Sequence, residues 1–244
     1  MTYGKGLPAL AALTAVSLTA ALALVFFFAP LDADQGFVQK IFYLHVPMGI
    51  VALAGFVAGG VFAVQHLRTR DPRHDLRSYV AIHLSLILAV GVLVTGSIWA
   101  KASWGAWWVW DEPMLVVFLI IFLLYACYQP LRFSIEDRDR QARSASVFAI
   151  TAGAFTPLCF GAVRFAQEAY IHPRTFDSTG VGMPAEMFAT FAVAFVGMTL
   201  LFVTLWKYEM AAKHTTFRLR ALRRSLGGDD DLAPVRRSAA PQSL

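Results

Sequence analysis

The chain has 244 residues, 57% of them hydrophobic and 15% charged, with a formal net charge of +5 and a mean hydropathy of +0.57. A water-soluble domain of this length cannot hide so much apolar surface, which excludes the soluble globular classes. The apolar runs are continuous and not alternating, so helices are favoured over a barrel, and the expected fold class is an all-α polytopic membrane protein.

Six spans approach the roughly 20 residues that cross a bilayer as a helix: 8–29, 43–65, 79–100, 114–131, 145–163 and 185–206. The first resembles a secretory leader, with Lys5 ahead of it and Ala21-Leu22-Ala23 where cleavage would fall. Its apolar core continues through Leu24 to Ala29, longer than a leader's, so a retained helix is expected. The segment "PLDADQGFVQKIF" leads straight into "YLHVPMG", which puts His45 at the mouth of the second span, with Pro47 perturbing the backbone beside it. The third span runs into "SWGAWWVWDEP" at 103–113. Spans four and five are short and carry Cys127 and Cys159 singly, with no C-x-x-C or zinc spacing, so both read as small apolar residues in helix interfaces. A long connection follows, "RFAQEAYIHPRTFDSTGVGMPAE", with His172 and Arg174 in it; its length favours a functional loop. Residues 1–226 form the membrane domain. The tail 227–244 has little to bury and is expected to be disordered.

Basic residues set the orientation. All but Lys40, Lys101, Arg164 and Arg174 of the 21 Lys and Arg fall on one side, in segments 67–78 and 132–144 and at the two ends. That side is cytoplasmic, with both termini inside. Segments 30–42, 101–113 and 164–184 then face outward, and the net charge is a topology signal that gives no nucleic-acid reading.

Five of the six tryptophans lie between Trp99 and Trp110, four of them in the seven positions 104–110. A tryptophan at a helix end commonly belongs to the interfacial aromatic belt, and Trp99 and Trp206 need no more than that. Belts use one or two aromatics per helix end, so the remaining four read as a binding platform. Trp104, Trp107 and Trp108 stand at i, i+3 and i+4, and one helical turn would place them on a single face. Gly105 would let backbone or ligand approach closely. Asp111 and Glu112, adjacent and so divergent, read as caps of the fourth helix and less well as a catalytic pair. A lone interfacial histidine is commonly just hydrogen-bonded; a pair on the side of an aromatic slab reads equally well as ligands. Haem suits such a set. Indole faces sandwich its apolar plate, histidine nitrogen takes its iron, and cations or indole N–H groups meet its propionates. With both axial positions filled there is no open site for oxygen chemistry, which describes a carrier.

At these residues the chain resembles a known family. "WGAWWVWD" resembles the tryptophan-rich signature of haem-handling membrane proteins of cytochrome c biogenesis, closest to the haem exporter C proteins of the bacterial cytochrome c maturation system. "KIFYLHVP" resembles that family's entry to its second helix and "TGSIWAKASWGAWWVWD" its third helix running into the signature, while "AYIHPRTF" resembles its second histidine loop less closely. The resemblance runs from about Lys40 to Trp206. It implies a six-helix protein of the bacterial cytoplasmic membrane that holds b-type haem transiently on its outer face. His45 and His172 would be the axial ligands, and Trp104, Trp107, Trp108, Trp110 and Asp111 the haem-binding signature. The protein would act with an ABC transporter made of exporter proteins A and B and with a small membrane protein D, and load haem onto a haem chaperone, protein E of the same system. The family commonly has a basic residue two places after the aspartate, where this chain has Pro113, so Arg174, Arg164 and Lys101 become the candidates for the propionates.

Two rival readings are an enzyme and an electron-transfer protein. The haem-attachment synthetases that share the signature are larger and carry histidines deep in the membrane, whereas His66 and His83 here lie near the cytoplasmic ends of their spans. A two-haem b-type cytochrome could use His45 with His66 and His83, but the tryptophan slab would then have no role. Interfacial residues beside arginines is the plainer reading of His66 and His83. No G-x-x-x-x-G-K-[ST] run occurs, so any ATPase must be a separate chain.

Overall fold

The computed structural model describes residues 4–166, 176–177 and 180–225. Among them run α1 (Leu7–Phe27), a 3-10 turn (Phe37–Ile41), α2 (Phe42–Thr69), α3 (Pro72–Trp104), α4 (Pro113–Phe133), α5 (Arg138–Ala166) and α6 (Ala185–Ser225). A two-residue antiparallel hairpin, β1 (Phe176–Asp177) with β2 (Gly180–Val181), precedes α6. Within the described residues, α1, α2 with its leading turn, α3, α4 and α6 are each long and apolar enough to cross a membrane. This is the polytopic helical architecture that the composition demands. The tail from 226 onward lies outside the described residues.

The helices outrun their apolar spans because polar residues cap them. At the start of α3 the Asp71 carboxylate accepts the Arg73 amide at 2.8 Å, and Pro72 needs no amide partner in a first turn. Segment 67–78, expected as a loop, is therefore helix except around Arg70 and Asp71. Segment 132–144 is likewise mostly helical: α4 runs to Phe133, and Asp137 accepts the Arg140 amide at 2.7 Å as α5 begins. The 41 residues of α6 span about 62 Å at 1.5 Å per residue, twice the hydrocarbon thickness.

Close helix contacts fix the bundle. A Cβ on Gly60 of α2 would stand 3.1 Å from the Ala149 carbonyl and 3.3 Å from the Gly153 Cα of α5, so the two backbones touch where no side chain fits. Beside that crossing Phe56 stacks on Tyr125 of α4, ring centroids 3.8 Å apart, and the Tyr125 hydroxyl donates to the Phe56 carbonyl. Thr14 of α1 and Thr204 of α6 share a hydrogen bond of 2.8 Å inside the apolar layer. Cys127 departs from its expected place. It is exposed on α4 and lines no helix interface, while Cys159 is half-buried; both are free thiols.

Side-chain contacts sort the helix ends into two groups. At one end, Arg132 at the close of α4 binds both oxygens of Asp75 in the first turn of α3, at 2.7 and 2.6 Å. There His66 of α2 meets Ser146 of α5 at 2.8 Å. At the other end Lys40 reaches back to the carbonyls of Ala29 and Pro30 just beyond α1, and Phe42 packs on Trp99 of α3 and Phe191 of α6. These are the arginine end and the tryptophan end.

Candidate functional site

At the tryptophan end the chain enters α2 through the 3-10 turn, and His45 sits one turn inside the helix, just before Pro47. Proline has no amide for the Tyr43 carbonyl, so the helix opening here lacks one rung of its ladder. The imidazole faces α3. Its Nδ1 lies 3.0 Å from the Thr95 hydroxyl, and its ring meets Trp99 edge-on, with centroids 5.8 Å apart and planes at 84°. Gly96 leaves room for it, since a Cβ there would stand 2.8 Å from the His45 Cε1. Trp99 is held in turn: its indole N–H donates to the Gln35 side-chain carbonyl at 2.6 Å. Gln35 belongs to a tight loop in which its own amide and that of Asp34 bond the Asp32 carboxylate.

Trp99 therefore does more than the belt role its position suggested. It is part of the wall around His45. Thr95, Gly96 and Gln35 were not singled out in the sequence. The only trace of them there is the run Thr95-Gly96-Ser97, a hydroxyl and a gap together on a membrane helix.

The tryptophan-rich segment departs from expectation in its backbone. Helix α3 ends at Trp104, and Gly105 caps it in the left-handed region at φ 77°. Trp104, Trp107 and Trp108 consequently do not share one helical face: Trp104 closes the helix, and Trp107 and Trp108 lie in the irregular stretch beyond. The glycine is there for its positive φ and not for close approach, because a Cβ at that position would meet nothing within 4 Å. Lys101 folds back on this cap and donates to the Gly105 carbonyl at 2.7 Å.

Beyond the cap the indoles diverge in exposure. Trp107 is 60% and Trp110 71% exposed, while Trp108 is half-buried and meets the Trp110 ring edge at 6.0 Å. The Trp108 indole N–H is sealed from solvent and makes no hydrogen bond among the described residues. Asp111 is exposed in the turn. Glu112 takes the N-cap position of α4 as expected, but its side chain makes no capping bond and is 1% exposed. Pro113 fills the first helical position, where its fixed φ suits the turn. His172 and Arg174 lie outside the described residues, as does the side chain of Arg164.

The histidines of the arginine end are placed differently. His66 is 5% exposed and bonded to Ser146, a residue packed into the bundle at its arginine end. His83 stacks on Tyr79 at 5.9 Å.

Chemically, the tryptophan end offers an imidazole with a fixed ring, two exposed indole faces and a buried indole donor. Gly96, against which the ring rests, stands nine residues before Gly105. That is about 14 Å along the helix, so the imidazole sits below the tryptophans and inside the bundle. A flat apolar ligand carrying a metal at its centre and acids at its rim matches such a set.

Comparison with known proteins points the same way. The model of the family described as Heme exporter protein C matches residues 1–225. A protein of that name from Rhodobacter capsulatus is 30% identical over 222 residues, 91% of each chain. Its namesake from Paracoccus denitrificans is 30% identical over 197 residues, 80% of this chain and 81% of the other. Another from Haemophilus influenzae is 33% identical over 155 residues, covering 64% of this chain and 63% of that one.

Proposed function

The chain belongs to the Heme exporter protein C family, and on that premise we propose that it is a haem carrier of the cytoplasmic membrane, presenting haem at its tryptophan end on the outer side. Haem handling in cytochrome c maturation follows from the family, and the relatives' names are those of a transport and maturation component, not of an enzyme. The finer reading is ours. Haem is the cargo, b-type and transiently held; His45 and His172 take the two axial positions of its iron. Trp107 and Trp108 stack on the macrocycle, with Trp104, Trp110 and Asp111 completing the signature. Arg174 is the first choice for a propionate. The Lys101 ammonium, already engaged with the Gly105 carbonyl, is a weaker candidate than the sequence made it.

The observation that carries this reading is the pairing of a fixed imidazole with exposed indoles at one end of the bundle. Trp107 and Trp110 stand in the irregular stretch beyond the end of α3, where their ring faces can meet a planar apolar partner. The six helices cross the membrane with both termini inside, as the basic residues require. No nucleotide-binding run is present in the sequence, so release of the cargo depends on the ABC transporter formed by exporter proteins A and B. The small membrane protein D stands alongside, and the haem chaperone, protein E, is the acceptor. A bis-histidine site near the membrane surface can be reached by that acceptor, which would bind through the same haem.

Transfer is tested with the ATPase inactivated. The acceptor and this protein should then co-purify as one haem-containing complex, and c-type cytochromes should be missing. Normal loading of the acceptor in a strain without this protein would overturn the transfer role.

A further inference from the structure

We propose that Thr95 is a positioning residue for haem ligation, fixing His45 as the tautomer that carries its proton on Nδ1 and its lone pair on Nε2. The proposal rests on the reading of His45 as an iron ligand.

The argument is one of donors and acceptors. The Thr95 hydroxyl lies 2.8 Å from the Gly91 carbonyl and 3.3 Å from that of Val92. Carbonyls only accept, so the single hydroxyl hydrogen is committed to the backbone of α3. Toward His45 the same oxygen can then only accept, and the 3.0 Å contact requires Nδ1 to donate. A ligating imidazole is neutral, so a proton on Nδ1 leaves the lone pair on Nε2. Iron is thereby offered one nitrogen of the two.

Sterics reinforce the choice. The ring lies on the bare backbone of Gly96 and against the edge of Trp99, which Gln35 holds in place. Turning the ring over would take Nδ1 away from Thr95. Other threonines on membrane helices back-bond in the same way, Thr199 to the Phe195 carbonyl at 2.8 Å for example, but Thr199 is exposed. Thr95 differs in having the imidazole as its second partner. Metal-bound histidines commonly donate their other ring N–H, and loss of that acceptor typically weakens metal binding on the order of ten- to a hundredfold.

The test uses the full chain in detergent. Nitrogen-15 shifts of histidine-labelled, haem-free protein, with the His45 signal identified by its loss in His45→Gln, should show the Nδ1–H form. Thr95→Val should populate the other tautomer, speed haem loss on the order of tenfold or more, and shift the haem reduction potential. Thr95→Ser should keep wild-type behaviour, as should the control Thr199→Val. In a His45→Gly background without added imidazole, Thr95→Val should add nothing, because it acts through the ring of His45.

An Nε2–H signal for His45 in the otherwise wild-type protein overturns the proposal, and this result needs no change at Thr95. So does a Thr95→Val protein that retains haem and potential unchanged, or one whose loss is equally large without His45. If His45→Gly itself leaves the haem spectrum intact, the ligand reading is what fails, and the nitrogen-15 shifts alone then decide whether Thr95 sets the tautomer.

Discussion

The two ends of this bundle are built on opposite terms. At the arginine end the polar groups meet one another. Arg132 grips Asp75 with two hydrogen bonds, donates a third to the Tyr128 hydroxyl and lies over the Tyr79 ring, while His66 and Ser146 close the α2–α5 contact. At the tryptophan end the helix gives way to irregular chain between Gly105 and Glu112, two indoles face out, and a third has a sealed N–H with no acceptor among the described residues. These contacts close most of the first end, where only single atoms such as the buried His74 Nδ1 and Gln129 Nε2 have no hydrogen-bond partner among the described residues. The second holds one imidazole firmly inside the bundle and carries its exposed indoles further out, beyond the end of α3.

The ends can be told apart outright by where they lie. A cysteine introduced at Ala102, exposed at the tryptophan end, should react in intact cells with a membrane-impermeant reagent, and one at Ser134, exposed at the other, should not. The reverse pattern would place the tryptophans in the cytoplasm and remove any outward presentation of haem.

In energy, the largest contrast is expected at the arginine end. Arg132→Ala leaves the Asp75 carboxylate without its ion-pair partner and should cost roughly 3 kcal/mol or more, seen as a lower unfolding temperature in detergent. The fraction that folds should keep a wild-type haem spectrum. If the spectrum changes as much as the stability, the two ends are coupled and the division fails.

Substitutions in the tryptophan segment should show the complementary pattern. Trp107→Ala should leave the unfolding temperature nearly unchanged and weaken haem retention, since a stacked aromatic contact contributes about 1 kcal/mol beyond its buried area. Phenylalanine there should recover part of it. Equal loss for alanine and phenylalanine would assign Trp107 a hydrogen-bonding role and not a stacking one. The smallest effect is expected for Lys101→Met. It removes an exposed cap on Gly105 and should alter stability by no more than about 0.5 kcal/mol, with haem retention unchanged. A large loss of haem would return Lys101 to the propionate.

Much of this could be read from the residues themselves. Apolar runs are long-range averages, so the helices stand where the sequence put them, and only their ends moved. Those ends obey local chemistry that was also legible, as with Asp71-Pro72 opening α3. Gly105 carried a helix-stop signal as well, and weighing it as a cap would have separated Trp104 from Trp107 and Trp108. The surroundings of His45 were not legible. Thr95 is 50 residues away along the chain and Gln35 is 64 from Trp99, and no spacing rule within one helix relates residues that meet only across a bundle.

The central claim is that the fixed imidazole of His45 is an iron ligand, and the visible spectrum of purified protein tests it most directly. Wild-type protein should carry six-coordinate haem. His45→Ala should lose the haem or change its coordination while remaining folded, and added imidazole should restore part of the original spectrum. An unchanged spectrum in the alanine variant would contradict the account.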